Sequence, residues 1–461
     1  MTELTANAND FSGARLHFFD DIYESGALAD FIGTHKIIDR SSLLDFLLFG
    51  SILPPRSPLA GVRQLYPGET FAEGNSTLAY LDMSYAVQRM DSTEFVEKFD
   101  ELLTEYFHEV PNASTVLLSG GIDSAILLSY LPGGAQAITW GGRGEESPDV
   151  QYSKITARQY KVSEHHTLLA DYDRDFALYR QAVEKLKIPI LFNSAVPFLR
   201  MAEEGKRLGM AEWLVGQNAD TLFMSYPAPV LTNRLSKLNT LFPWNPLGYL
   251  PYRKAYGLRT KSHVRLLAYF KSLGIFPGSW LHVPEAYFVE KEILFNHIPA
   301  QNAQQKIIVL EELLTESRRN QICQNEIPSL YGITSVCPYY DERFVRLALS
   351  IPPHLRRSNG YAKTLLKELA RKRGVPEAVI TKQKSGLSYG MGAFMAEGRH
   401  MALWDVMEKD IDLNSLIDVK SLREREEGNY LAYIMVSSLH YWFEWVARPH
   451  GLTLPNSATS L

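Results

Sequence analysis

Residues Ser114 to Leu131 read STVLLSGGIDSAILLSYL, and no other stretch constrains the fold as much. Thr115 to Leu118 is an apolar, partly β-branched run that stops at Ser119-Gly120-Gly121, and Ala125 to Leu131 has the composition of a buried helix. A strand, a glycine turn and a helix in that order open an α/β unit. Glycines let a backbone approach a ligand with no Cβ in the way. Consecutive N–H groups backed by a helix N-terminus make a socket for phosphate oxygens. Asp123 would repel a bare anion, but it suits an anion that arrives with Mg²⁺, because carboxylates are the usual protein ligands of that ion. The structural alternative for Asp123 alone is a helix-terminal carboxylate favoured by the dipole. The Lys-Ser/Thr ending of a Walker A loop is missing.

The alternation continues downstream. Strands are expected at Ala135 to Trp140, His165 to Ala170 and Ala211 to Val215, with helices over Ser147 to Tyr160, Asp171 to Leu186 and Asn193 to Gly205. Upstream, Ser92 to Val110 is strongly periodic, with Phe95, Phe99, Leu102, Leu103 and Phe107 on one face and Ser92 as the expected N-cap. Strands alternating with helices imply a parallel sheet with ligands at the strand C-termini. The Ser119 turn and Gly216-Gln217-Asn218-Ala219-Asp220 both fall at such ends. Asp123 and Asp220 thus close two strands of one sheet, where two carboxylates over a phosphate socket could hold Mg²⁺ on a polyphosphate. His165 and His166 have no Cys or carboxylate at ligand spacing, so a structural role is expected for both.

The chain has 461 residues, enough for two or three domains, with 46% hydrophobic and 21% charged residues. A net charge of −5 argues against a general nucleic-acid or membrane binder. The only cysteines, Cys323 and Cys337, make neither a disulfide framework nor a metal spacing, which points to a reducing cytoplasm. The start of the chain has no basic, apolar leader, and no stretch is long enough to span a membrane.

Several separated segments carry a resemblance. SGGIDS resembles the pyrophosphate loop of the ATP pyrophosphatases. VLLSGGIDSA, NSAVPFLRMAEE, WLVGQNADTLF, CPYYDERFVRLALSIPPHLR and TKQKSG occur in the order found in asparagine synthetases, a likeness that runs over roughly residues 40–400. It implies a twisted parallel sheet flanked by helices, with a helical C-terminal part, in residues 91–461. It also implies a reduced N-terminal domain in residues 1–90 that is similar to the end of a glutaminase domain.

The resemblance implies site roles as well. Ser119, Gly120, Gly121 and Ser124 would hold ATP pyrophosphate, Asp123 and Asp220 would hold Mg²⁺, and Leu118 and Gly216 would shape the nucleotide pocket. Val116 and Trp140 also lie near strand ends, where core packing is the competing role for Val116 and Leu118. Gln217 is the candidate substrate contact. Lys384, in KQKSGLSYG, would be the catalytic cation, with Lys382 as the register alternative. Tyr339, Tyr340 and Asp341 match a Pro-Phe-Leu-Asp stretch that reads as a structural hinge near the substrate.

Departures from the family pattern shape the expected function. Thr2 stands where a glutaminase nucleophile would be Cys, and no Cys precedes Cys323. The acidic positions around Asp220 are replaced by Gln217 and Thr221, which puts aspartate as substrate in doubt, and Val336 replaces an Arg. The leading expectation is an AMP-forming amide ligase acting on a small-molecule or peptide carboxylate. Its amine would be ammonia, a second substrate, or a group on the same molecule, as in β-lactam synthetases. A homodimer or a partner biosynthetic protein fits this reading. The competing readings are a catalytically silent nucleotide-binding protein, a glutamine-independent asparagine synthetase, and a tRNA-modifying pyrophosphatase.

Overall fold

The computed structural model describes residues 5–7, 16–72, 75–110, 114–142, 144–225, 230–232, 234, 285–314, 316–358, 361–382, 400–426 and 430–455. Its centre is a five-stranded, all-parallel sheet: β1 (Thr115–Leu117), β2 (Gln136–Trp140), β3 (Glu164–Leu168), β4 (Glu212–Leu214) and β5 (Thr334–Val336), in the spatial order β5-β4-β1-β2-β3. Val116 is the hinge of the register, pairing with Ala137 on one side and Leu214 on the other. The chain steps outward from β1 to β3, then returns to lay β4 against the opposite edge of β1. That reversal opens a crevice between the C-terminal ends of β1 and β4, the usual ligand position in such sheets. The strands match the sequence expectation to within two residues, except that β5 was not anticipated. Thr334-Ser335-Val336 is too short to show a period, and its pairing with β4 at Trp213 and Ser335 makes it a strand.

The helices follow their caps. α1 (Arg40–Phe49) is capped by Asp39, and α2 (Ser92–Glu109) by Asp91. Asp91, not Ser92, is the N-cap of α2: its carboxylate accepts from Glu94 N at 2.9 Å, while Glu94 Oε2 accepts from Asp91 N at 2.8 Å. This reciprocal box satisfies two N–H groups that a serine one residue later would leave open. α3 (Ile122–Leu128) leaves the glycine turn directly. α4 (Pro148–Gln159), α5 (Tyr172–Leu186) and α6 (Phe192–Arg207) connect β2, β3 and β4. After β4 come the short α7 (Ala219–Leu222), α8 (Glu342–Leu349), α9 (Thr364–Lys372), α10 (Glu377–Thr381) and α11 (Tyr430–Trp442).

One continuous apolar core joins these elements, running from Leu43, Phe46 and Leu47 in α1 through Phe95 and Phe99 in α2 and Ile126 in α3 to Leu439 in α11. Phe99 of α2 packs edge-on against Phe223, just after α7, and at a tilt against Phe344 of α8. Residues before 91 are stitched to the rest by buried polar contacts as well. Tyr287 Oη donates to Asp45 at 2.5 Å, and Lys291 Nζ lies 3.1 Å from the same carboxylate.

The C-terminal helices are tied by Asp410, whose side chain is 1% exposed. His440 Nδ1 lies 2.5 Å from Asp410 Oδ2, Leu413 N donates to Oδ1, and the Arg448 guanidinium bonds the same oxygen. Burial alone would raise the Asp410 carboxyl, but the bonds from His440, Leu413 and Arg448 outweigh it and hold the group below the ordinary aspartate value. A depressed folded-state value means that the stabilisation is complete above the unfolded aspartate pKa and fades as pH falls through the folded one. Asp410→Asn should therefore cost about 3 kcal/mol near neutral pH, since it breaks a buried ion pair. In urea titrations the gap to wild type should narrow only in strongly acidic buffer, and a gap that is constant down to pH 2 would contradict this assignment.

Candidate active site

The turn after β1 is built for close approach. Gly120 has φ +69°, and a Cβ placed on it would lie 2.5 Å from the Asp149 carbonyl in the first turn of α4. Gly216, at the end of β4, meets the same turn from the other side: its Cβ would fall 2.9 Å from Ser124 N and 3.2 Å from Asp123 Cβ. These two glycines let α3, α4 and the end of β4 converge with backbone nearly touching backbone. Ser124 Oγ accepts from Ser119 N at 3.2 Å and lies 3.2 Å from Ser119 Oγ, so both hydroxyls share one small patch.

The two aspartates expected to meet do meet, and a third side chain joins them. Lys363 Nζ bonds Asp123 Oδ2 and lies 2.6 Å from Asp220 Oδ1. Ser225 Oγ also bonds Asp220 Oδ1. The Lys363 side chain is 8% exposed, and the carboxylates are 18% and 22% exposed. Burial pulls the Lys363 ammonium down, but Asp123 and Asp220 outweigh burial and hold it above the ordinary lysine value. Two carboxylate oxygens that both reach one ammonium are spaced to share one cation, and a pair of carboxylates is a donor set that fits Mg²⁺.

Lys382 forms a second charged contact on the far side of the turn. Its Nζ is 2.6 Å from Asp149 Oδ1, 3.5 Å from the Gly120 carbonyl and 5.1 Å from the centre of the Tyr152 ring. The side chain is 7% exposed, so it is a packed part of the loop scaffold and not a solvated surface lysine. Lys384 lies outside the described residues.

Tyr339 is the strut of the site. Its Oη donates to the Asp123 carbonyl at 2.9 Å, and its own carbonyl accepts from Asn218 Nδ2 at 3.1 Å. Burial, then the Asp123 charge, pushes the phenol well above the ordinary tyrosine value, so it stays a donor. Asp341 caps α8 through Arg343 N at 2.9 Å, and Tyr340 is buried. Leu118 is 1% exposed within an apolar cluster with Val116, Ala137 and Leu214. Its N donates to Ile138 O, and its carbonyl accepts from Thr139 Oγ1. The Leu118 side chain thus serves the core. Gln217 is half-buried directly after Gly216. His165 Nε2 lies 2.7 Å from Thr139 Oγ1, and burial, followed by Lys154 and His166, holds its imidazole below the ordinary value.

Lys363 and Asp149 were not singled out from the sequence. Lys363 reads as part of a basic helical face, and the available signal was its position at the very start of α9, where the helix dipole disfavours a cation. Among the described residues, Asp410, His440 and Glu444 also cluster at metal-like spacing, but Arg448 bonds both Asp410 and Glu444, so the chain supplies that cation itself.

The family model described as asparagine synthase matches residues 111–443. No curated protein matches the chain.

The geometry of Gly120 gives a direct test. Alanine there must adopt a left-handed φ and press on the Asp149 carbonyl, displacing the turn. Gly120→Ala should weaken ATP binding by calorimetry at least tenfold while the far-UV spectrum stays native; unchanged affinity would separate this turn from nucleotide binding.

Proposed function

The chain belongs to the asparagine synthase family, and we propose that it is an AMP-forming ligase that joins a carboxylate to an amine. The observation that carries this reading is the meeting of Asp123 and Asp220 beside the Ser119–Ser124 turn, in the crevice between β1 and β4. A substrate carboxylate oxygen attacks the α-phosphorus of ATP, the α–β bridge bond breaks, and pyrophosphate leaves. The amine nitrogen then attacks the acyl carbon, the acyl–phosphate bond breaks, AMP leaves and the amine gives up a proton. Gly120, Gly121, Ser119 and Ser124 hold the pyrophosphate through N–H and hydroxyl donors, aligned before the bond breaks, so that little reorganisation is needed in the transition state. Asp123 and Asp220 hold Mg²⁺, which supplies neutralisation of the phosphate charge when bound. Gly216 and the main chain around Leu118 border the nucleotide, and Gln217 faces the substrate.

The nitrogen source in this reading is a free amine, an amine on the same molecule, or ammonia. Support comes from the two cysteines, both buried; burial pushes the Cys323 thiol up to about 12, far from the thiolate that glutamine hydrolysis needs. The substrate is a small-molecule or peptide acid of specialised metabolism, handled in the cytoplasm, with a second copy or a biosynthetic protein as partner. Among the described residues, no helix is long and apolar enough to cross a membrane.

A panel of carboxylates and amines, read by AMP and pyrophosphate release, tests the reaction. Turnover should yield AMP and pyrophosphate in equal amounts, Asp220→Asn should be inactive, and glutamine alone should release no ammonia. Stoichiometric ADP would remove the chain from this chemistry, and ATP binding with no turnover across a broad panel would favour a silent nucleotide binder.

Lys384 is the proposed cation over the reacting centre, and Lys382 the anchor two residues before it. An interaction stronger in the transition state than in bound ATP lowers the barrier and leaves affinity nearly unchanged. Lys384→Ala should lower kcat about a hundredfold to a thousandfold with little change in ATP affinity. Lys382→Ala removes the tie to Asp149 and should weaken ATP binding as well as turnover. The reverse pattern, with Lys382→Ala affecting kcat alone and Lys384→Ala active, would assign the catalytic role to Lys382.

A further inference from the structure

Lys363 breaks three local rules at once. It is a non-glycine residue at φ +59°, a conformation that L-residues rarely adopt. It is the N-cap of α9 and makes no side-chain cap bond, although that position favours Ser, Thr, Asp or Asn and the dipole there repels a cation. Its ammonium is buried, where an uncompensated charge is costly. Residues that violate local preference together are expected at functional positions, held by something outside their own segment. Here that something is the pair of carboxylates: Asp123 at the start of α3 and Asp220 in α7 both bond the ammonium, from two elements that flank the crevice.

We propose that Lys363 is a built-in counter-ion that occupies the cation position of the nucleotide-free protein, so that a divalent ion loads together with the nucleotide and not before it. This rests on the reading of Asp123 and Asp220 as the metal ligands. With Lys363 in place, the three groups carry one net negative charge, and each carboxylate already has an oxygen committed to the ammonium. A divalent ion arriving alone competes with the ammonium for both carboxylates, and displacing it leaves a buried ammonium beside a doubly charged metal. A nucleotide changes the balance, because its phosphate oxygens offer the displaced ammonium new partners while the metal takes the carboxylates. Without Lys363, two carboxylates would face each other with no cation between them and would bind a free divalent ion readily.

Mn²⁺ binding followed by electron paramagnetic resonance reads this without turnover. In the absence of nucleotide, wild type should bind Mn²⁺ at least tenfold more weakly than Lys363→Met, and the tight binding of that variant should vanish in the Lys363→Met/Asp220→Asn double variant. Lys363→Arg keeps the charge and should keep the exclusion. Should Lys363→Met fail to fold, wild type decides alone: nucleotide-free wild type that binds Mn²⁺ tightly, with Asp220→Asn abolishing the binding, overturns the counter-ion role. Mg·ATP binding to wild type by calorimetry separates the two levels. If Mg·ATP binds and Mn²⁺ alone also binds at Asp220, only the counter-ion role falls. If Mg·ATP does not bind at all, the ligase reading falls and takes this inference with it.

Discussion

The bridge of Lys363 to Asp123 and Asp220 is the contact on which the crevice depends. Three segments far apart in sequence supply it, and each is under electrostatic constraint without the others. Two carboxylates at the ends of neighbouring strands repel, and a buried ammonium without partners would give up its proton. Joined, they fix the distance between α3 and α7 and so the width of the opening between β1 and β4. Tyr339 reinforces the same spacing with neutral bonds, reaching the Asp123 carbonyl with its hydroxyl and Asn218 with its carbonyl. The site is therefore braced by one ionic and one neutral strut, and only the ionic one engages the carboxylates proposed as metal ligands.

Close packing supplies the remaining order. Gly120, within the turn, abuts Asp149 of α4, and Gly216 packs on the turn from the other side against Asp123 and Ser124. Lys382 then clamps the α4 side through Asp149. A turn held in this way presents its N–H groups in one fixed arrangement, which is what an anion socket requires. The glycines have two separate physical reasons. Gly120 needs a left-handed backbone as well as space, whereas Gly216 needs space alone.

Much of this was legible in the sequence, for identifiable reasons. The run from Thr115 to Leu128 states its strand, turn and helix in consecutive residues, and Asp220 follows β4 in the same way that Asp123 follows β1. Local chemistry of that kind survives the absence of a structure. Lys363 was not legible because its role depends on where α9 docks, and in sequence it is one more lysine of a basic helix. β5 was missed because three residues carry no period, and only the edge of β4 makes them a strand. Asp91 was passed over for Ser92 because both are good caps, and the deciding fact is the return bond from Glu94. The family resemblance places Leu118 in the nucleotide pocket, with core packing as the competing role, and its side chain packs in the core.

The two lysines at the turn illustrate how similar residues divide labour by their anchors. Lys382 is bonded to a single carboxylate in α4, next to a carbonyl of the loop and over the face of Tyr152. None of those partners is a proposed metal ligand, so a cation at Asp123 and Asp220 does not compete for them, whereas Lys363 bonds the proposed metal ligands themselves and competes with a metal for them. Under the proposed counter-ion role the tie of Lys382 to Asp149 persists while that of Lys363 to Asp123 and Asp220 exchanges, so one side of the turn stays fixed and the other responds when a nucleotide offers the ammonium new partners.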